Sequence, residues 1–106
     1  ISRDWGWAPE YVEAIQLITR APILEDHVIC TGELTKLKTF IEIVFQKLGL
    51  DWRNHVKSDK KLFRASDIQQ NYGDPEQLFT SLGWKAKIKV PELITKLIND
   101  KLDINY

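Results

Sequence analysis

The chain has 106 residues, of which 43% are hydrophobic and 28% charged, and fifteen Lys+Arg balance fifteen Asp+Glu; this is the composition of one small globular domain. Apolar runs such as Val28-Ile29-Cys30 and Phe40-Ile41 fall far below the roughly 20 residues that cross a bilayer, which excludes a transmembrane helix. Charge is evenly spread, with six Lys/Arg against eight Asp/Glu over 1–56 and nine against seven over 57–106, so no basic field is present to hold nucleic acid.

Ser2 to Trp7 alternates polar and large residues and reads as a short extended segment. Pro9 then stands where a helix begins, and Ala8, Tyr11, Val12, Ile15 and Ile18 give that helix one apolar face before Ala21-Pro22 closes it. His27-Val28-Ile29-Cys30 is short and β-branched, bounded by Glu25-Asp26 and Thr31-Gly32, and is expected to be a buried strand ending in a turn. Leu37, Phe40, Ile41, Val44, Phe45 and Leu48 form a continuous helical stripe stopped by Gly49. Asp51 to Lys61 is polar and reads as a surface loop or exposed strand, and no period holds from Leu62 to Tyr72. Asp74-Pro75 reads as a helix cap followed by proline, with Leu78, Phe79 and Leu82 inward and Gly83 as the stop. Trp84 to Val90 alternates apolar and basic residues as a one-sided strand or extended segment. Pro91 opens a last helix striped by Leu93, Ile94, Leu97, Ile98 and Leu102, and Asp103 to Tyr106 is expected to fray.

These elements make a small α/β module of three longer helices, one short helix and two or three short strands. A chain this size buries about 65% of the surface that it exposes when unfolded, so the expected core is thin. One cysteine, Cys30, cannot form an internal disulfide and reads as a small buried hydrophobe, and a cytoplasmic setting is the expectation. The chain opens Ile1-Ser2-Arg3 and contains no Met, which reads as a piece of a longer protein.

Chemistry is sparse. No glycine-rich phosphate loop occurs, and neither Tyr11 nor Tyr72 is followed four residues later by the Lys of a proton-relay pair, since Ile15 and Glu76 stand there. His27 and His55 lie far apart without neighbouring ligands, so neither a metal site nor a general base is expected at them.

Five phrases carry a resemblance. Arg3-Asp4-Trp5-Gly6-Trp7-Ala8-Pro9-Glu10-Tyr11-Val12-Glu13-Ala14, Val28-Ile29-Cys30-Thr31-Gly32-Glu33, Leu62-Phe63-Arg64-Ala65-Ser66-Asp67, Gly73-Asp74-Pro75 and Leu82-Gly83-Trp84-Lys85 stand in order along the chain. Together they resemble the GDP-mannose 4,6-dehydratase branch of the extended short-chain dehydrogenases/reductases, from Arg3 to about Leu102. The resemblance implies that residues 1–106 are the C-terminal, substrate-side part of that fold, without the N-terminal nucleotide-binding part. In the family, NADP takes hydride from the sugar C4, water is lost across C5 and C6, and hydride returns to C6. The glycines and the relay residues for these steps precede the first phrase, so this chain alone is expected to be inactive and to bind no NADP.

What the resemblance implies for this chain is part of a sugar-nucleotide grip. Arg3 and Arg64 match arginines that approach the diphosphate, for which a planar guanidinium is suited. Asp67 stands where the family has a Glu that accepts from ribose hydroxyls, and Ala65 where it has Pro. From the residues alone, Arg3 could instead pair with Asp4, and Arg64 could be a solvated charge beside Lys60 and Lys61. Trp5, Trp7 and Trp84 read as core rather than as guanine-stacking rings. The implied partners are a GDP-sugar and the nucleotide-binding half, with exposed apolar area inviting a homo-oligomer. A GDP-sugar reductase or epimerase and a stand-alone binding module are the alternatives.

Overall fold

The computed structural model describes residues 1–103, with side chains through Leu102. The fraying expected over Asp103–Tyr106 lies outside the described residues, apart from the backbone of Asp103 at the end of the last helix. In chain order the elements are β1 (Ser2–Arg3), α1 (Ala8–Arg20), β2 (Thr35–Lys36), α2 (Leu37–Lys47), β3 (Gln70–Asn71), α3 (Glu76–Leu82) and α4 (Val90–Asp103). Two 3-10 turns, Trp52–Asn54 and Lys60–Leu62, occupy the polar stretch between α2 and β3. Among the described residues, four α-helices and one three-stranded sheet make this an α/β arrangement. No helix among the described residues is long and apolar enough to cross a membrane.

The helices stand where local chemistry puts them. In α1 Pro9 falls in the first turn, where its missing N–H costs nothing, and the Trp7 carbonyl accepts from the Glu10 and Tyr11 amides at 3.1 and 3.3 Å. The extended backbone of Ala21, imposed by Pro22, ends it. Asp74 Oδ1 accepts from the Glu76 amide at 3.0 Å ahead of α3, and Gly83, at φ 75°, closes that helix through an N–H bond to Phe79.

The strands differ from expectation. β1 is the centre of the sheet, antiparallel to β2 with Ser2 opposite Lys36, and parallel to β3 with Ser2 opposite Gln70. Residues 27–30 form no strand: Val28 is 55% exposed, and the adjoining amides of Thr31 and Gly32 bond to the Asp4 carboxylate instead of a neighbouring chain. Residues 84–89 are extended but unladdered. Trp84 and Ala86 point inward while Lys85 and Lys87 point out, as alternation requires, yet the amides of Lys87 and Ile88 are taken by Glu10, at 2.8 and 3.1 Å. A β-branched or alternating run becomes a strand only where another strand offers its backbone.

The core is thin. Ala14, Leu78, Trp84 and Ala86 form its buried centre, with Tyr11, Ile18, Ile29 and Leu82 packed around them, and Val90, Leu93 and Ile94 are buried on α4. The inward face of α1 is therefore Tyr11, Ala14 and Ile18, whereas Val12 and Ile15, expected to share it, are half exposed about a quarter-turn away. Phe79 of α3 also faces out, as do Leu97 and Leu102 of α4. α2 packs on α4, and Trp5 packs on Phe40 with ring centroids 4.6 Å apart. The radius of gyration, 16.7 Å, exceeds the about 13 Å usual for a chain of this length, and the shortest dimension is 22 Å. The molecule is a slab with amphipathic helices on its faces.

Removing the Glu10 carboxylate strands two amides of the extended segment, one of them partly buried. Glu10→Ala is expected to cost about 2 kcal/mol in urea unfolding, whereas Glu13→Ala, on the exposed side of the same helix, stays within about 0.5 kcal/mol. Equal effects would show that the Glu10 contacts carry no stability.

Candidate functional site

β1 brings the first residues of the chain to the middle of the molecule. Asp4, at its end, accepts from the Thr31 amide at 3.0 Å, the Thr31 hydroxyl at 2.5 Å and the Gly32 amide at 2.8 Å. Thr31 in turn accepts from the Glu33 amide, and Lys89 reaches from the extended segment to the Thr31 carbonyl at 3.2 Å and to Glu33 at 3.8 Å. Gly32, at φ 82°, lies so close to Pro75 that a Cβ would meet the proline ring at 2.9 Å. Gly73 is backed in the same way by Cys30, and Gly6 by the phenol of Tyr11. The Arg-Asp-Trp-Gly, Thr-Gly-Glu and Gly-Asp-Pro phrases thus pack against one another.

Beside this knot lies an open cleft of about 600 Å³, whose walls include Arg3, Asp4, Tyr11, Cys30, Asn71 and Asp74. Burial, the Asp4 carboxylate, the Cys30 thiol and Glu10 push the Tyr11 phenol up to about 12. Burial and Asp4 also push the Cys30 thiol up, which makes it an unreactive packing group, as its sequence setting suggests. His27 Nδ1 is buried without a partner among the described residues. No cluster of His, Cys, Asp and Glu among them is arranged as metal ligands. His55 stacks on Phe45 with rings 6° from parallel.

Arg3 does not pair with Asp4. Its Nη1 donates to the Ile68 carbonyl at 2.8 Å and to the Ser2 carbonyl at 2.9 Å, and the Asp4 oxygens are committed to Thr31 and Gly32. Arg64 is exposed, with no partner for its side chain among the described residues. Asp67 is half-buried, and its amide bonds back to the Arg64 carbonyl at 3.3 Å, so residues 64–67 form a turn with Ala65 at its second position. Arg3 therefore meets this turn next to Asp67 and also lines the cleft, whereas Arg64 and Asp67 lie outside the cleft wall. Trp84 is core; Trp5 donates to Thr35 at 3.3 Å, and Trp7 lies under Lys96 at 5.8 Å. Sequence reasoning placed Tyr11 on the inward face of its helix, as found, but gave Asp4 a different partner and missed Glu10 as a contact-making group, although all three sit inside the longest recognisable phrase.

Among the described residues, the glycines of these phrases are not arranged as a cradle for the diphosphate of a dinucleotide cofactor. The three glycines nearest helix starts, Gly6, Gly32 and Gly73, face side chains of this chain instead of open space.

The Tyr11 shift has a defined consequence for stability. Between pH 10, where an unfolded tyrosine ionises, and about 12, the unfolded chain releases a proton that the folded chain keeps. Stability is present below pH 10 and falls as pH rises through that window. Tyr11→Phe is expected to flatten the fall in urea midpoints measured from pH 9.5 to 12, and an unchanged slope would contradict it.

The sequence profile of the family described as GDP-mannose 4,6 dehydratase matches residues 1–97. The chain is 35% identical over 103 residues to GDP-mannose 4,6 dehydratase 1 of Arabidopsis thaliana, covering 97% of this chain and 28% of that protein. It is 32% identical over 112 residues to GDP-mannose 4,6 dehydratase 2 of Caenorhabditis elegans, covering 91% and 29%. With the human GDP-mannose 4,6 dehydratase the identity is 29% over 119 residues, covering 96% and 32%. The chain thus spans roughly three-tenths of the length of these relatives, and over that span the phrases forming the Asp4 knot fall within the matched residues. On this match the chain belongs to the GDP-mannose 4,6 dehydratase family.

Proposed function

We propose that this chain is the C-terminal, substrate-side portion of a GDP-mannose 4,6-dehydratase-like enzyme of the extended short-chain dehydrogenase/reductase fold. The observation that carries the reading is the family match over residues 1–97. Within that span, Arg3 lies against the turn that bears Arg64 and Asp67. In the whole enzyme, a lyase of the cytoplasm, GDP-mannose loses water to give GDP-4-keto-6-deoxymannose, with NADP as the hydride carrier. NADP and the proton-relay residues belong to a nucleotide-binding portion outside residues 1–106.

The role of this chain is binding. A diphosphate presents paired anionic oxygens, and the exposed guanidinium of Arg64 offers a planar set of donors with no competing protein acceptor. Nη2 and Nε of Arg3 take no protein partner among the described residues and extend that set. Asp67, half-buried at the end of the turn, accepts from ribose hydroxyls. Its side chain is one methylene shorter than the Glu of the related phrase, so the ribose sits closer to the turn backbone.

The slab shape favours a portion of a larger body over a stand-alone module. Val12 and Ile15 of α1, Leu62, Phe63 and Ile68 around the turn, and Phe79 of α3 are each at least half exposed. A self-sufficient domain buries such residues, and a second protein layer over these faces supplies what the core lacks.

Two experiments test the reading. In the full-length enzyme, Arg64→Ala is expected to raise the GDP-mannose Kd about 10- to 100-fold and leave that of NADP within about twofold, since a charge-assisted hydrogen bond is worth about 1.5–3 kcal/mol. Equal losses for both ligands would indicate misfolding and remove Arg64 from the site. Residues 1–106 alone, given GDP-mannose and NADP, are expected to yield no 4-keto sugar, and any such product overturns the assignment of catalysis elsewhere.

A further inference from the structure

We propose that Arg3 also acts on the sugar-nucleotide through the chain itself, as a positioning residue that holds the 64–67 turn in register; the inference rests on the reading given above. Both hydrogens of Nη1 are engaged, one by Ile68 and the other by Ser2, so this nitrogen serves the fold and not a ligand. Around it β1 grips the start of β3 at further points, with the Ser2 amide on the Gln69 carbonyl at 2.7 Å and the Asp4 amide on the Asn71 carbonyl at 3.1 Å. Toward Arg64 this grip stops. Among the described residues, the Arg3–Ile68 bond is the only hydrogen bond that ties residues 64–68 to the rest of the molecule, the other being the internal Asp67–Arg64 bond at 3.3 Å.

Little else restrains the turn. Leu62, Phe63 and Ile68 are 77%, 66% and 57% exposed, so apolar packing does not fix it. Ala65 occupies the second turn position, where a proline would preset φ and where the related phrase has one. The restraint falls to a guanidinium reaching across 65 residues of sequence. A charged donor suits the task, because its hydrogen bond to a carbonyl is stronger than a neutral one. Loss of Arg3 then displaces Asp67 and Arg64 together, weakening ribose and diphosphate contacts alike.

Guanosine separates this role from direct contact with phosphate, because it carries the ribose and no phosphate. In the full-length enzyme, Arg3→Gln is expected to raise the Kd of guanosine about 10-fold along with that of GDP, and Ala65→Pro in the same background to recover about threefold. A guanosine Kd within twofold of the unaltered enzyme, with GDP alone weakened, makes Arg3 a phosphate contact only and overturns the proposal. Asp67→Asn and Arg64→Ala report on the underlying reading. If neither alters guanosine or GDP binding, that reading fails; if they weaken binding while Arg3→Gln spares guanosine, only the positioning role fails. Hydrogen exchange provides a second readout if Arg3→Gln loosens the protein. The Asp67 amide is expected to exchange at least about 10-fold faster while the Thr31 and Gly32 amides keep their rates, and equal acceleration at all three contradicts the proposal.

Discussion

Two carboxylates near the start of the chain hold much of this structure in place. Asp4 and Glu10 together accept five hydrogen bonds, four from backbone amides and one from the Thr31 hydroxyl. The amides belong to residues 31–32 and 87–88, segments with no strand partner of their own. A partly buried amide that has left water must find an acceptor, and a carboxylate can serve two at once. Residues 1–14 act as a hub: Arg3 reaches Ile68, Asp4 the Thr-Gly turn, Trp5 both Thr35 and Phe40, Glu10 the extended segment, and Tyr11 the edge of Trp84. The length of the first phrase has a physical counterpart in these contacts.

The helices were legible in the sequence because their signals are local. Pro9, Asp74, Gly83 and the striped spacing of α2 and α4 each act within one or two turns. The strands were not, because strand formation depends on a neighbour that local pattern does not disclose. His27–Cys30 has the composition of a strand, while of the paired residues only Ser2–Arg3 lie in a segment that reads as extended, and Thr35–Lys36 and Gln70–Asn71 have no run long enough to read. Burial faces were partly legible for the same reason: helical period locates an apolar face, but Val12 and Phe79 show that an apolar position turns inward only where this chain supplies something to cover it.

The candidate site shows a similar division. Arg3, Arg64 and Asp67 come from resemblance, and composition or spacing alone favours an Arg3–Asp4 ion pair. The structure assigns both groups elsewhere, Asp4 to an N–H and O–H cage and Arg3 to a carbonyl 65 positions away. Such a contact leaves no trace in local pattern. What the sequence phrases encode most directly is their docking on one another, Gly32 against Pro75 and Gly73 against Cys30, which makes these glycines close-packing positions. On the proposed reading, the turn bearing Arg64 and Asp67 hangs from the hub through the Arg3–Ile68 bond and not from a broad apolar interior.

The central claim is that the hub organises segments that lack secondary structure, and native-state hydrogen exchange tests it most directly. The amides of Thr31, Gly32, Lys87 and Ile88 are predicted to be protected to an extent comparable with those of buried α4 residues such as Ile94, and to lose that protection selectively in Asp4→Ala for the first pair and Glu10→Ala for the second. Exchange of all four at the rate of an exposed loop in the unaltered chain would contradict the account.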